Sequence, residues 1–375
     1  MTNEADNIDR TPRLGPLVDD ETIAEAIEGQ NLVIVLSRFD IGAIKKIADY
    51  RKGSRRAAKM IIVSSRGQFL LKRRACGRDA REHVDFAHSV QRRLSEHGFP
   101  VAGLVETIDG QTLVEHDDRI YELFSFIQGK RFDKSNPAAA ESGRILAHFH
   151  DILREFPHEP DKKHSFHLNL SFLSKMDGLF SSLSKQENPE QLEGMEATIS
   201  FLQSQYKTAF KKVESVEFNS LPTSIVHNDW HPGNMLYKDG EIIAVIDFDS
   251  LRVSPRVTDV ANGALQFSMR MGDAERVDNW PDSFRGHTIQ SLVQSYDQFT
   301  KHPLMASERS IVPALMVEAL IVESVFPILK SGTFGRVRGS SFLRMVERKL
   351  RWLEPRTQRV IDVIQPSLGD EESFT

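Results

Sequence analysis

The chain has 375 residues, a length that suffices for two lobes around one cleft, and its 40% hydrophobic and 27% charged residues are typical of a globular protein. Its formal net charge of -5 argues against attraction of the whole protein to nucleic acid. A single cysteine, Cys76, excludes an internal disulfide and favours a reducing compartment.

Neither the N-terminus nor the most apolar internal segment predicts a membrane protein. The first 15 residues are acidic and lack the apolar run of a signal peptide. Segment 311–329 is apolar but is interrupted by Glu318, Glu323 and Pro327, which favours a buried helix over a membrane span. We therefore expect a cytoplasmic protein with no membrane or nucleic-acid partner, while its oligomeric state stays open.

The first third of the chain predicts short strands around one helix. Segment 20–26 is typical of a short helix and segment 32–36 of a short strand, whereas the helix over 79–96 should stop at Gly98. Lys72 stands at the end of a predicted strand. The stronger strand predictions are 44–50, 60–63, 69–71, 104–108, 112–115 and 120–127.

The remainder is mainly helical. A helix should begin at Asn136 and Pro137, residues preferred at the N-cap and at the first helical position. Further helices are predicted over 165–180, 195–213, 256–271, 283–299, 311–330 and 342–353. This order predicts an α+β protein with a small antiparallel β region followed by a larger helical one.

One stretch, residues 225–250, has the pattern of strand, polar loop, strand, Asp-Gly hairpin and strand. Asp229 and Asn234 lie on the loop, and Asp247 follows the last strand, so the fold of the hairpin should bring the three side chains together. A hard divalent cation such as Mg²⁺ takes oxygen ligands and completes its shell with water and substrate phosphate. Asn234 and Asp247 suit that role, which leaves Asp229 for a substrate hydroxyl.

Two other interpretations of this stretch remain open. Single Asn and Asp residues most often serve turns. Alternatively, His227, Asp229 and His231 could be ligands of a hydrolytic metal site, although Asn234 and Lys72 would then have no role. The histidines elsewhere, at 148, 150, 164 and 167, lack the paired spacing of a metal site.

The motif His227-x-Asp229-x-x-x-x-Asn234, followed by Ile-Asp247-Phe-Asp249, resembles the aminoglycoside phosphotransferase, choline kinase and homoserine kinase family. That family has a two-lobed protein-kinase-like fold, with a small antiparallel β N-lobe and a larger helical C-lobe. Its loop most often reads His-Gly-Asp-Leu-His-Pro-Gly-Asn, and this chain departs from it at positions 228 and 230. By this resemblance Asp229 is the catalytic carboxylate, Asn234 the secondary metal ligand and Asp247 the main metal ligand.

The same resemblance implies further roles around the loop. His227 braces the catalytic loop, and Asp259 corresponds to the aspartate that ties this loop together in the family. Lys72 corresponds to the lysine that neutralises the α and β phosphates of the nucleotide.

For the nucleotide, Gly53 and Ser54 would lie in the loop that covers the phosphates, although neither a G-x-G-x-x-G nor a P-loop motif occurs. The backbone of Glu122, Leu123 and Phe124 would contact adenine at the hinge between the lobes.

The sequence departs from the family at the helix after Lys72. Related kinases carry there a glutamate that pairs with the lysine, whereas this chain has His88 at about that place. Glu82 is the nearest acid upstream and is a candidate partner of Lys72.

These observations predict four segments: a tail and N-terminal extension (1–35), a nucleotide-binding N-lobe (36–128), a helical C-lobe with the catalytic loop (129–358) and a C-terminal tail (359–375). The predicted function is ATP- and Mg²⁺-dependent transfer of the γ-phosphate to a hydroxyl of a small metabolite of the homoserine, choline, sugar or aminoglycoside type. The alternatives are a catalytically weak nucleotide-binding or regulatory protein and a protein serine/threonine kinase of the same fold.

Overall fold

A computed structural model describes residues 27–50, 57–75, 77–157, 166–274 and 276–365. Over these ranges an antiparallel sheet is followed by a larger helical region, so the predicted α+β arrangement is confirmed. The helix expected at 20–26, the loop residues Gly53 and Ser54, and Cys76 lie outside the described residues.

The N-terminal region contains one five-stranded sheet with the strand order β1-β2-β3-β5-β4 and antiparallel pairing throughout. Lys72 of β3 is directly opposite Glu122 of β5. The elements are α1 (Gly29–Leu36), β1 (Ile44–Asp49), β2 (Lys59–Ser64), β3 (Gln68–Arg73), α2 (Arg81–Glu96), β4 (Val114–His116) and β5 (Arg119–Ser125). Helix α2 therefore follows directly on the strand that carries Lys72.

Two strand predictions in this region are wrong. Segment 32–36 belongs to helix α1, because Leu32, Val35 and Leu36 are buried at helical spacing while Val33 between them is 70% exposed. Segment 104–108 forms only an isolated bridge to β5, because a turn closed by Gly110 and Thr107 and a bond to Arg38 draw the chain away from the sheet.

The C-terminal region is mainly helical. Its elements are α3 (Asn136–Leu153), α4 (Ser171–Met176), α5 (Leu179–Leu183), α6 (Met195–Glu214), β6 (Thr223–Val226), β7 (Met235–Lys238), β8 (Glu241–Val245), β9 (Arg252–Pro255), α7 (Val257–Ser268), α8 (Gly286–Phe299), α9 (Ala306–Ser331), β10 (Thr333–Phe334), β11 (Val337–Arg338), α10 (Gly339–Leu353) and α11 (Thr357–Val363). The cap of α3 is Ser135, whose hydroxyl accepts from Ala138 N, rather than Asn136. The single helix predicted over 165–180 is instead two short helices, with Gly178 between them.

The predicted strand, loop and hairpin pattern of 225–250 is present. Strand β6 pairs with β9 and β7 pairs with β8. Asp239 and Gly240 both adopt left-handed backbone angles (φ 53° and 91°), as a two-residue hairpin requires. This tight turn returns the chain so that Ile246 N donates to Asn234 O at 3.0 Å, which places Asp247 beside the loop.

Helix α9 forms the centre of the helical core. Within the described part of the chain it is the one helix long and apolar enough to cross a membrane, but 83% of its most apolar window is buried inside the protein. Its burial against α6 and α7 agrees with the prediction of a core helix.

Helix α9 also buries Glu318, which bonds His167. The His167 Nδ1 to Glu318 Oε2 distance is 2.8 Å, and His167 Nε2 is 3.1 Å from Oε1 of Glu214. Burial raises the pKa of Glu318 to about 7. Although burial opposes the imidazolium, the hydrogen bonds and charges of Glu318 and Glu214 raise the pKa of His167 above its ordinary value.

This cluster should make stability depend on pH. Both folded-state pKa values are raised, so the stabilisation is present at low pH and is lost as the pH rises, for Glu318 between its ordinary 4.5 and about 7. Glu318→Gln should flatten this decline of the unfolding free energy and lower the pKa of His167 in an NMR titration, because the hydrogen bond and charge of Glu318 are lost. Glu214→Gln, at the exposed partner, should shift that pKa less. An unchanged pH dependence in Glu318→Gln would contradict the assignment.

Candidate active site

Asp259 of α7 holds the loop between β6 and β7 by hydrogen bonds to the loop backbone. Its two carboxylate oxygens accept from the backbone N–H groups of His227 (2.6 Å) and Asn228 (2.8 Å). Asn228 has φ 59°, a left-handed conformation that Asn tolerates better than most residues and that explains its presence where the family most often has glycine. Asp259 therefore holds the loop as expected.

Asp259→Asn is expected to destabilise the protein by about 1 to 3 kcal/mol, because an amide offers only one acceptor to two buried N–H donors. Thermal or urea unfolding measures the loss. Asp239→Asn, in the exposed turn of the adjacent hairpin, is the matched control and should unfold like the wild type. A variant at 259 that is as stable as this control would contradict the fastening role.

Asp229 lies within the loop and is held on one side by Asn234. The Asn234 side-chain nitrogen donates to Asp229 O (3.0 Å) and Oδ2 (3.1 Å). His231 Nδ1 accepts from Gly233 N, so its neutral ring carries the proton on Nε2, which is 3.3 Å from Asp229 Oδ1. Among the described residues this Oδ1 is buried without an aligned hydrogen bond, and it is the oxygen left for a further donor.

His227, at the start of this loop, is enclosed by aromatic side chains. It is fully buried, its ring packs against Trp230 and Phe248, and Nε2 is 3.3 Å from Ile246 O. Burial lowers the pKa of His227, so the ring is neutral at pH 7. These contacts support the predicted bracing role. They also show that Trp230, whose indole N–H donates to Ser142, is a packing residue.

Lys72 of β3 reaches across to the segment that follows β8. Its Nζ is 2.7 Å from both oxygens of Asp249 and 3.3 Å from Asp247 Oδ1. Asp247 has the left-handed φ of 68°. Although burial disfavours the carboxylate, the positive charges of Lys72, Lys59 and Arg78 hold the pKa of Asp247 below its ordinary value. The structure thus brings together the predicted Lys72 and Asp247.

Asn234 and Asp247 have the chemistry of a site for a hard divalent cation. The amide nitrogen of Asn234 is engaged with Asp229, so its Oδ1 is the atom left for a cation, and Asp247 adds one anionic oxygen ligand. No group of three or more His, Cys, Asp or Glu side chains among the described residues could hold a metal ion. The hydrolytic site of His227, Asp229 and His231 thus gains no support, whereas two protein ligands completed by phosphate remain suitable.

The adenine contact of residues 122–124 stays a prediction. Glu122, Leu123 and Phe124 lie within β5 and their backbone pairs with β3, while Leu123 O also accepts from Val105 N at 2.8 Å. Their backbone groups are therefore used by the sheet.

The side chain of Glu122 belongs to a buried group of charged residues that the sequence did not predict. It is fully buried, forms a double hydrogen bond with Arg74 (both 2.8 Å) and is 2.6 Å from His88 Nε2. Glu82, the candidate partner of Lys72, is exposed, and Lys72 bonds Asp249 instead. Two signals could have revealed this group: Arg74 is two residues after Lys72, just past the end of β3, and Asp249 is two after Asp247.

Fold and site together are those of a phosphotransferase of the kinase-like type, with an aspartate-bearing loop and a buried lysine bonded to two aspartates. The sequence profile of the phosphotransferase enzyme family, APH, matches residues 50–298, and the chain belongs to this family. It is therefore a kinase that acts on a hydroxyl group.

Three relatives illustrate the match. The chain is 23% identical over 290 residues to a homoserine kinase of Rhodopseudomonas palustris, covering 77% of this chain and 80% of that one. It is 26% identical over 177 residues to the "Serine/threonine protein kinase RdoA" of Salmonella typhimurium, and this match covers 46% of the chain and about half (49%) of that protein. The structure of a microcompartment-associated aminopropanol kinase has a TM-score of 0.63 at 15% identity, covering 88% of this chain and 98% of that one, which shows a shared fold.

Proposed function

We propose that the protein transfers the γ-phosphate of ATP, with Mg²⁺, to a hydroxyl of a small metabolite. The observation that carries this proposal is the meeting of Lys72 with Asp247 beside a loop on which Asn234 holds Asp229. Phosphoryl transfer has a loose transition state, so positioning and charge neutralisation matter more than a strong base. The site supplies both.

Each side chain has one task in this mechanism. Lys72 binds the nucleotide phosphates. Asn234 Oδ1 and Asp247 would hold the cation, which when bound neutralises charge on the phosphates. Asp229 Oδ1 accepts the hydrogen bond of the acceptor hydroxyl, orients its oxygen towards the phosphorus and takes the proton late in the transfer.

We further infer that the acceptor carries an amino group. Glu323 of α9 is buried and has a hydrogen bond from Gln266 Nε2 at 3.0 Å. Burial and then the negative charge of Asp229 raise the pKa of Glu323 well above its ordinary value, which favours its neutral form. An ammonium group next to Asp229 would favour the ionised form of both acids. The relatives named as kinases of homoserine and aminopropanol agree with this choice.

The test measures ADP formation with MgATP and a panel of small hydroxylated metabolites. We expect acceptors with an amino group, such as homoserine and aminopropanol, to be turned over faster than sugars or simple alcohols, and choline tests whether a quaternary ammonium group suffices. Turnover of sugars alone would overturn the amino-group assignment but keep the kinase. A wild-type protein that binds MgATP and phosphorylates nothing in the panel would instead favour the nucleotide-binding alternative.

A protein hydroxyl is the second candidate acceptor, because one relative bears the name of a serine/threonine protein kinase. Adding a generic protein substrate such as casein and radiolabelled ATP to the same assay distinguishes the two. Label in protein and none in the metabolites would favour this candidate.

A further inference from the structure

Lys72 is buried, with its side chain 8% exposed, and a lysine has a flexible stem that needs a partner to define its position. Both oxygens of Asp249 are 2.7 Å from its Nζ, and the Asp249 side chain is 7% exposed. Asp247 is farther away, at 3.3 Å, and its side chain is 22% exposed. The two aspartates therefore differ: Asp249 is the tighter partner of the lysine, and Asp247 is the more open one.

Asp249 is in turn part of a buried array that extends to helix α2. Arg74 Nη1 lies 3.2 Å from Asp249 Oδ1, an ion-pair distance without aligned hydrogen-bond geometry, and Arg74 forms its paired hydrogen bonds with Glu122. Glu122 also bonds His88 Nε2, and His88 Nδ1 is 2.7 Å from Thr112 Oγ1. Because one removed partner leaves an uncompensated buried charge, these members depend on one another.

The charges within this array balance. Lys72 and Arg74 carry two positive charges, and Asp249 and Glu122 carry two negative charges in direct contact with them. Asp247 is the additional carboxylate, so it can leave Lys72 for a cation without leaving the lysine unpaired. Two histidines of helix α2 contact the array through their imidazole rings. His88 bonds Glu122, and His83 Nε2 is 2.9 Å from the backbone carbonyl oxygen of Asp249.

We propose that Asp249, held by the Arg74–Glu122 pair and through it by His88 of helix α2, is the positioning residue that sets Lys72 for the nucleotide phosphates. The proposal rests on the function proposed above, since that function assigns the phosphates to Lys72. In this arrangement the lysine is positioned by the segment after β8 and by the sheet. Helix α2 acts on it through His83 and His88.

The test compares the dissociation constants of MgATP and of adenosine by titration calorimetry, together with thermal unfolding. Asp249→Asn should weaken MgATP binding about 10- to 100-fold, the range of a lost hydrogen bond to a charged group, while adenosine binding stays within about twofold. Adenosine has no phosphate, so it reports the fold of the cleft without Lys72. Glu187→Gln removes a buried carboxylate that follows α5 and accepts from Ser340 N of α10, outside the array around Lys72, and should lower the melting temperature without changing either constant.

Two further variants test the connection through the array. His88→Leu should weaken MgATP binding, whereas His88→Gln, which keeps a donor for Glu122, should restore part of it. The double variant Asp249→Asn with Glu122→Gln should bind MgATP about as weakly as Asp249→Asn alone, because members of one network are not additive. If Asp249→Asn does not fold, MgATP binding by the two His88 variants tests the proposal instead.

Different outcomes would contradict the positioning role and the proposed function. If wild type binds MgATP and Asp249→Asn binds it equally well, the positioning role of Asp249 is wrong and the proposed function is unaffected. Fully additive losses in the double variant, or equal losses for adenosine and MgATP, also overturn the array as a positioning device. A wild-type protein that binds adenosine but gains no affinity from the phosphates and Mg²⁺ would overturn both proposals together.

Discussion

Replacing Asp229 by asparagine is expected to lower the turnover number by about 10² to 10⁴, the usual contribution of a positioned acid or base, while MgATP affinity changes little. Asn234 donates to Asp229 Oδ2, so an asparagine there would keep its oxygen towards Asn234 and present its NH₂ group in place of Oδ1. That group cannot accept the hydrogen bond of an incoming hydroxyl. It would also oppose the His231 Nε2 proton, 3.3 Å from this position.

Steady-state kinetics with the acceptor identified in the panel separates an effect on turnover from an effect on nucleotide binding. The loss should appear in kcat, because the carboxylate acts on the hydroxyl in the transition state and contributes little to nucleotide binding. Asp239→Asn removes a carboxylate from the same hairpin at an exposed turn and should keep full activity. If Asp229→Asn turns over its acceptor at nearly the wild-type rate, the assignment of this residue is wrong.

The local part of the site could be predicted because local residues determine it. Asp239-Gly240 allows the left-handed turn that folds β8 back along β7, and this geometry carries Asp247 to the loop. Asn228 similarly supplies a left-handed position in the loop itself. Such short-range features can be predicted because the residue types in the motif themselves determine the backbone conformation.

The partners of Lys72 could not be predicted in the same way. Asp249 is 177 residues away along the chain, so only the packing of the sheet against the hairpin brings the two together. Alternation in β5 places Glu122 on one face but does not say that Arg74 and His88 meet it there. We expected an acid of α2 beside the lysine, whereas the sheet and the segment after β8 provide the acids.

Helix α1 shows the same limit at the level of secondary structure. A run of β-branched residues favours a strand, but burial of Leu32, Val35 and Leu36 against the sheet stabilises a helix instead. Tertiary packing therefore decided where propensity alone was ambiguous. The tight hairpin could be predicted without this ambiguity, because the Asp-Gly pair at its turn favours one backbone conformation.

Asp247→Asn has the second largest expected effect, and it falls on the cation dependence of nucleotide binding. Loss of residues that merely support a metal ligand costs about 10- to 100-fold in metal affinity, so loss of a ligand itself should cost at least as much. The affinity for ATP with Mg²⁺ should therefore drop by at least about tenfold. Affinity for ATP without the cation should stay equal or rise, because a carboxylate that repels phosphate and competes for Lys72 has been removed.

This opposite response of the two titrations distinguishes a ligand from a residue that only shapes the cleft, since damage to the cleft would weaken both. Asp239→Asn again controls for a lost carboxylate in the same hairpin and should preserve the full gain in affinity that Mg²⁺ gives the wild type. An Asp247→Asn protein in which Mg²⁺ strengthens ATP binding as much as in the wild type would show that the cation is held elsewhere. The 3.3 Å contact between Asp247 and Lys72 would then be only one more ion pair of the array around Asp249.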